Sequence, residues 1–166
     1  MRPQKYINVD IYGRCGPLKC PKRDTKPDIC GPDMSQYQFY LSFENTFCKD
    51  YITEKFFKIF EPGNTVIPVA RGGADYDSYF EPGSFINAAH FKSAKDLALH
   101  LKFLSENVNK YVEVLEKKLK YTANPKINLN SYHCDICKLL NKRDKRVTTK
   151  YDIVKWYGQP PFYAGH

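Results

Sequence analysis

At 166 residues, 42% of them hydrophobic and 15% aromatic, the chain is sized for a single folded domain and is too apolar to be disordered. Its formal charge of +8, from 26 basic and 18 acidic residues, suits an anionic partner: nucleic acid, a membrane surface or a phosphorylated small molecule. There is no signal peptide, no membrane-spanning apolar run and no Asn-x-Ser/Thr sequon, and neither basic cluster carries a nucleic-acid signature, so nucleic acid is a minor reading.

Tyr6 to Tyr12 alternates well enough to predict a first strand, ended by Gly13, Gly16 and Pro17. Residues 14 to 36 are rich in Pro, Gly, Lys and Asp and read as a long loop. Tyr37 to Phe43 is nearly continuous in apolar and aromatic residues, as in a strand covered on both faces. A helix is expected over 51 to 60, from the spacing of Ile52, Phe56, Phe57, Ile59 and Phe60. Asp50 or Thr53 is its cap, and Pro62-Gly63 stops it.

Thr65 to Val69 is a short buried strand, with Pro68 marking its end, and Arg71-Gly72-Gly73 is a tight turn where backbone could approach a ligand. Ser84 to Asn87 is a further strand. Ser93 caps the next helix, with Asp96 at its third position and Leu97, Ala98, Leu101 and Leu104 on one face. Asn107 to Tyr121 is another helix, read with Tyr111, Val112, Leu115 and Leu119 inward. Tyr132 to Asn141 is a helix candidate, and Trp156 to Tyr163 is an aromatic end. The basic runs Lys19 to Lys26 and Lys138 to Lys150 read as solvated loops or helix faces. Strands alternating with helices predict an α/β fold with a parallel sheet and a ligand at its carboxyl edge.

The strand exit Phe43-Glu44-Asn45-Thr46 and the helix start Tyr51-Ile52-Thr53-Glu54-Lys55 form the candidate site. Free N–H groups and a dipole end there suit phosphate. Lys55 offers a point charge to a diphosphate, Glu54 an acceptor for sugar hydroxyls, and Asn45 and Tyr51 neutral hydrogen bonds. The competing reading is an ordinary helix start, with Glu54 favourable at the dipole and Asn45 turning the chain. Six cysteines stand at 15, 20, 30, 48, 134 and 137. Cys15-x4-Cys20 with Cys134-x2-Cys137 is either a structural zinc set or a source of disulfides, and Cys48 sits inside the loop itself.

The run from Phe39 to Tyr76, FYLSFENTFCKDYITEKFFKIFEPGNTVIPVARGGADY, resembles the donor-binding signature of the α1,3-fucosyltransferases, glycosyltransferase family 10. In that family a strand ends in Phe-x-x-Glu-Asn, followed by Asp-Tyr-Ile-Thr-Glu-Lys, a Pro-Val strand and Gly-Gly-x-x-Tyr. The resemblance begins at Val9 to Gly16 and continues through FEPGSFINAAHFKSAKDLALHLKFL, where the family has Asp-Phe in place of His90-Phe91. It covers roughly residues 6 to 120, with a weaker match at the Cys-x-x-Cys.

The resemblance implies a Rossmann-like domain, the C-terminal half of a GT-B glycosyltransferase, binding GDP-fucose through residues 1–125. Residues 126–166 would be a helical and aromatic extension, and the acceptor domain would precede this sequence, which is expected to be a C-terminal fragment. The implied reaction moves L-fucose with inversion to an N-acetylglucosamine-containing glycan in α1,3 linkage, in the Golgi lumen, where the Cys-x-x-Cys is oxidised. Asn45, Tyr51, Glu54 and Lys55 match donor contacts, Tyr76 matches a residue lining the guanine side, and Phe43 and Glu44 shape the loop. The general base belongs to the acceptor half, and Asp75 and Asp77 are not candidates for it. No metal motif is read at the donor loop, so no divalent ion is required, although one could stimulate. Two other readings remain: a catalytically silent GDP-sugar-binding or partner-binding module, and a zinc-stapled basic module for nucleic acid.

Overall fold

The structure, a computed structural model, describes residues 5–14, 16–19, 33–123 and 129–141. Its centre is a three-stranded, wholly parallel sheet in the order β1-β2-β3: β1 is Phe39–Phe43, β2 Ile67–Arg71 and β3 Ile86–Asn87. Phe39 pairs with Ile67 and Phe43 with Arg71, while Val69 pairs with Ile86 and Ala70 with Asn87. The carboxyl ends of all three strands therefore share one edge, as alternating strands and helices require. The helices are α1 (Glu54–Phe57), α2 (Tyr76–Tyr79), α3 (Ala94–Glu106), α4 (Val108–Lys118) and α5 (Leu129–Asn141). No helix among the described residues is long and apolar enough to cross a membrane.

Both faces of the sheet are covered, which is why β2 is buried along almost its whole length. Ile67 and Val69 point into a core with Leu97, Leu101 and Leu104 of α3. Ala70 faces an aromatic core built around Phe56, whose ring touches those of Phe57, Phe60, Tyr76, Phe80 and Phe85 at centroid distances of 5.0 to 5.8 Å. The α3 helix forms as its sequence dictates: Ser93 Oγ accepts from the Asp96 N–H at 3.1 Å, the Ser93 hydroxyl donates to the Asp96 carboxylate, and four apolar residues face inward.

Four local expectations are corrected. Residues 6–12 form no strand; they make one parallel bridge, Tyr12 to Leu18, as the chain turns back on itself. Gly16 permits that turn, because a Cβ there would lie 2.1 Å from the Ile11 carbonyl oxygen. The Tyr37 hydroxyl ties the segment down by donating to Asp10 at 2.7 Å. β2 starts two residues later than expected and holds Pro68 inside it. Ile67 N–H donates to Gln38 beside β1, so the N–H that Pro68 lacks would face β3, whose pairing begins only at Val69.

The expected helix over 51–60 is a four-residue α1 continued by a 3-10 turn, Lys58–Phe60. Thr53 caps it, whereas Asp50 occupies a turn at φ 59°. On α4, Tyr111 and Val114 pack inward and Lys118 is buried, while Val112 and Leu119 are exposed. Tyr111 fixes that rotation by donating to the carbonyls of Thr65 and Gln38. The helix candidate at the C-terminal end is α5; Trp156 to Tyr163, and Cys15, Cys20 and Cys30, lie outside the described residues.

Candidate functional site

Glu44 is the first residue beyond β1, and its N–H donates to the Arg71 carbonyl at the end of β2 at 2.8 Å. Its side chain is fully buried. One carboxylate oxygen accepts from the Thr53 N–H at 2.8 Å and the other from the Thr53 hydroxyl at 2.7 Å. This pair of bonds closes the loop 45–52 at its neck. Between them the chain reverses through a turn in which the Tyr51 N–H donates to Cys48 O, with Asp50 in the left-handed region that Asp tolerates.

The turn after β2 braces the loop from beneath. A Cβ on Gly73 would lie 2.2 Å from the Phe47 carbonyl oxygen and 2.7 Å from that of Cys48. A Cβ on Gly72 would lie 2.7 Å from the Tyr76 hydroxyl and 3.1 Å from Glu44 Cγ. The glycines thus admit the loop's own backbone. Arg71 adds a cation–π contact to the Phe47 ring, its guanidinium carbon 5.2 Å from the centroid.

The five residues expected to bind a donor separate into two groups. Four lie on the loop and its helix start. Asn45 is exposed and accepts a long hydrogen bond, 3.4 Å, from the Tyr51 hydroxyl. Lys55 is partly exposed, with its ammonium 3.2 Å from Thr53 Oγ1, 3.5 Å from Glu54 Oε1 and 3.7 Å from Glu44 Oε2. The Glu54 carboxyl is solvent-facing and held below its ordinary range, chiefly by a backbone hydrogen bond of its own and then, against desolvation, by the charge of Lys55. Tyr76 stands apart at 1% exposure, packed against Phe56 behind the loop. Burial, and then the nearby Glu44 charge, push its phenol up to about 12, and its hydroxyl makes no hydrogen bond.

Two features modify the anion-binding argument. With only four residues, α1 has little macrodipole, and the Thr53 and Lys55 N–H groups are already engaged by Glu44 and Thr53 Oγ1. Of the residues expected to bind a donor, Lys55 is the one that brings a positive charge. Nor do the five residues line the cavity of about 400 Å³ between β3, α3 and α4, or the smaller one of about 260 Å³. The loop is an open surface at the carboxyl edge of the sheet.

The same edge carries a cluster that sequence reasoning passed over. Asp77, on α2, accepts from the Asn87 amide at 3.0 Å and lies 2.9 Å from His90 Nε2, linking α2 to the end of β3 and the 3-10 turn that follows it. Asp75 and Asp77 have the Asp-x-Asp spacing at the N-cap and in the first turn of α2. Among the described residues no three His, Cys, Asp or Glu side chains converge as a metal set. Cys134 and Cys137 are exposed on α5 and are not joined to each other, and the cysteines they were read with, at 15 and 20, lie outside the described residues.

A parallel α/β sheet with a polar loop at its carboxyl edge belongs to the class of open α/β architectures that take ligands at that edge. The model for glycosyltransferase family 10 (fucosyltransferase), C-terminal part, matches residues 2–156, and the chain belongs to this family. It is similar to α-(1,3)-fucosyltransferase C of Drosophila melanogaster, 37% identical over 158 residues, which are 94% of this chain and 35% of the relative. It is also similar to glycoprotein 3-α-L-fucosyltransferase A of the same organism, 34% identical over 162 residues, 95% of this chain and 31% of that one. The chain thus spans about a third of the length of these curated relatives. Among solved structures, an α1,3-fucosyltransferase with GDP matches with a TM-score of 0.48 and 29% identity, covering 67% of this chain and 34% of the other.

Proposed function

We propose that residues 1–125 are the donor-binding unit of an α1,3-fucosyltransferase, holding GDP-fucose at the edge formed by the loop 44–55. The observation that carries this reading is the partly exposed Lys55 ammonium, held by Thr53 and Glu44 on the same loop as the bonded Asn45–Tyr51 pair at the carboxyl edge of the parallel sheet, in a chain of this family. Lys55 would neutralise the diphosphate and stabilise GDP as it leaves. Asn45 and Tyr51 would supply neutral hydrogen bonds, and the exposed Glu54 carboxylate would accept from ribose or fucose hydroxyls. Tyr76 would support the loop from behind, since its burial keeps it from a ligand in this conformation.

In the inverting reaction, the bond between the fucose anomeric carbon and the phosphate oxygen breaks with its electrons leaving on GDP. The acceptor hydroxyl attacks the opposite face of an oxocarbenium-like centre and gives up its proton to a base. No carboxylate of this chain is assigned as that base. We place it, with the acceptor site for an N-acetylglucosamine-containing glycan, on the opposite wall of a GT-B cleft. Work in the Golgi lumen, and pairing of cysteines there, belong to the same reading.

Calorimetric titration of the 166-residue chain with GDP, without added metal, tests the donor site. Replacing Lys55 with Ala should weaken GDP binding about 10- to 100-fold, the worth of a hydrogen bond to a charged group. Equal affinity in the variant would remove Lys55 from the site. Transfer of fucose is a separate test: a chain that binds GDP-fucose without transferring it would be the silent binding module.

A further inference from the structure

We infer that Glu44 is a positioning residue that acts on Lys55 through the Thr53 hydroxyl; this rests on the donor-site reading above. Glu44 has no exposed side-chain surface, so it touches no ligand itself. Its two oxygens accept from the N–H and the hydroxyl of one residue, Thr53, at 2.8 and 2.7 Å.

The chemistry gives this relay a direction. An ionised carboxylate only accepts, so the Thr53 hydroxyl hydrogen must point at Glu44. The lone pairs of Thr53 Oγ1 are then turned toward Lys55, accepting from its ammonium at 3.2 Å and its backbone N–H at 3.4 Å. Glu44 Oε2, 3.7 Å from the ammonium, adds direct attraction. A lysine on a flexible four-carbon stem would otherwise sample many rotamers. Here it is restrained at the base of its loop before any diphosphate arrives, and less freedom is lost when one binds.

A carboxylate that merely closed the loop would serve equally well with Lys55 present or absent. The two roles therefore differ in coupling. The experiment is a double-mutant cycle on GDP affinity with Glu44→Gln and Lys55→Ala, thermal unfolding confirming that each variant is folded. Glu44→Gln preserves shape but removes the charge and one acceptor. It should weaken GDP binding by roughly tenfold, and Lys55→Ala should then cost only about two- to threefold more, far less than in the unaltered chain.

Thr53→Val should reproduce Glu44→Gln and Thr53→Ser should restore the cycle. This pair carries the test if Glu44→Gln fails to fold. Full multiplication of the two losses, or an undiminished Lys55 effect in Thr53→Val, would overturn the relay while leaving the donor site standing. No effect of Lys55→Ala in the unaltered chain would overturn both.

Discussion

Replacing Gly73 with alanine should displace the candidate donor loop without touching any residue proposed to contact the ligand. Gly73 does not have a left-handed φ, so alanine there meets no backbone penalty, only a steric one. Its Cβ would sit 2.2 Å from Phe47 O and 2.7 Å from Cys48 O, where carbon and oxygen need about 3.3 Å. The obstacle is backbone, not a side chain that can swing away, so the loop must move by roughly 1 Å. Overpacking of this kind costs about 1–3 kcal/mol of stability, and a 1 Å misplacement can cost about a hundredfold in a positioned reaction. GDP affinity by calorimetry and thermal unfolding, measured together, should both fall. Gly63→Ala is the control: its φ is +82° with nothing within 4 Å of a Cβ, so it should lose about 1 kcal/mol of stability and leave GDP affinity unchanged. Wild-type GDP affinity in Gly73→Ala would refute the claim that this turn sets the loop.

Three other outcomes follow from the packing. Burial pushes the Lys118 ammonium down to about 8 from 10.5, although it donates to the Asn64 carbonyl. The unfolded chain then binds more protons between those values, so this group's contribution to stability should rise with pH across that window, its penalty of about 3 kcal/mol being fully present below pH 8. Lys118→Met should remove that rise and, in denaturant titrations near pH 7, stabilise the protein by about 1 kcal/mol; strong destabilisation would show that the hydrogen bond outweighs the burial. Tyr76→Phe removes a buried hydroxyl that has no partner, so stability by chemical denaturation should be unchanged or rise by up to about 1 kcal/mol, and GDP affinity should hold. A marked loss of affinity would put Tyr76 in contact with the ligand. Phe56→Ala, at the hub of the aromatic core, should cost about 3–5 kcal/mol in the same assay; a loss below 1 kcal/mol would mean that this core is not formed.

The elements legible in the sequence are those whose chemistry is local. Ser93 and Asp96 lie three residues apart and cap α3 by themselves, and the apolar run ending at Phe43 marks β1. Alternation likewise gave the parallel α/β class. What escaped depends on partners distant in the chain. Lys118 reads as an outward charge until the Asn64 carbonyl, 54 residues away, receives it, and with α4 rotated by the Tyr111 bonds Leu119 faces water. Residues 6–12 have a strand's alternation but no neighbour among the described residues to pair with beyond Leu18.

The candidate site was legible as a set of loop residues, while its internal bonding was not. Nothing local says that Glu44 will bind Thr53 nine residues on. Gly72-Gly73 was visible as a place of close approach, but the thing approached, the backbone of Phe47 and Cys48, comes from the fold. Tyr76 matched a motif and is nonetheless buried, because a pattern of residue types does not record which way a ring points.

Because Phe47 and Cys48 rest on Gly73, the loop is assembled only after two segments some 25 residues apart have met, and it has no shape to offer before then. Recognition and folding are therefore one equilibrium: a ligand that selects this arrangement should raise the melting temperature, and the rise should keep growing with the logarithm of its concentration above Kd. A mutation anywhere that loosens the contact between β1 and β2 will be felt as lost affinity, and a thermal-shift screen of anionic nucleotides would report on both at once.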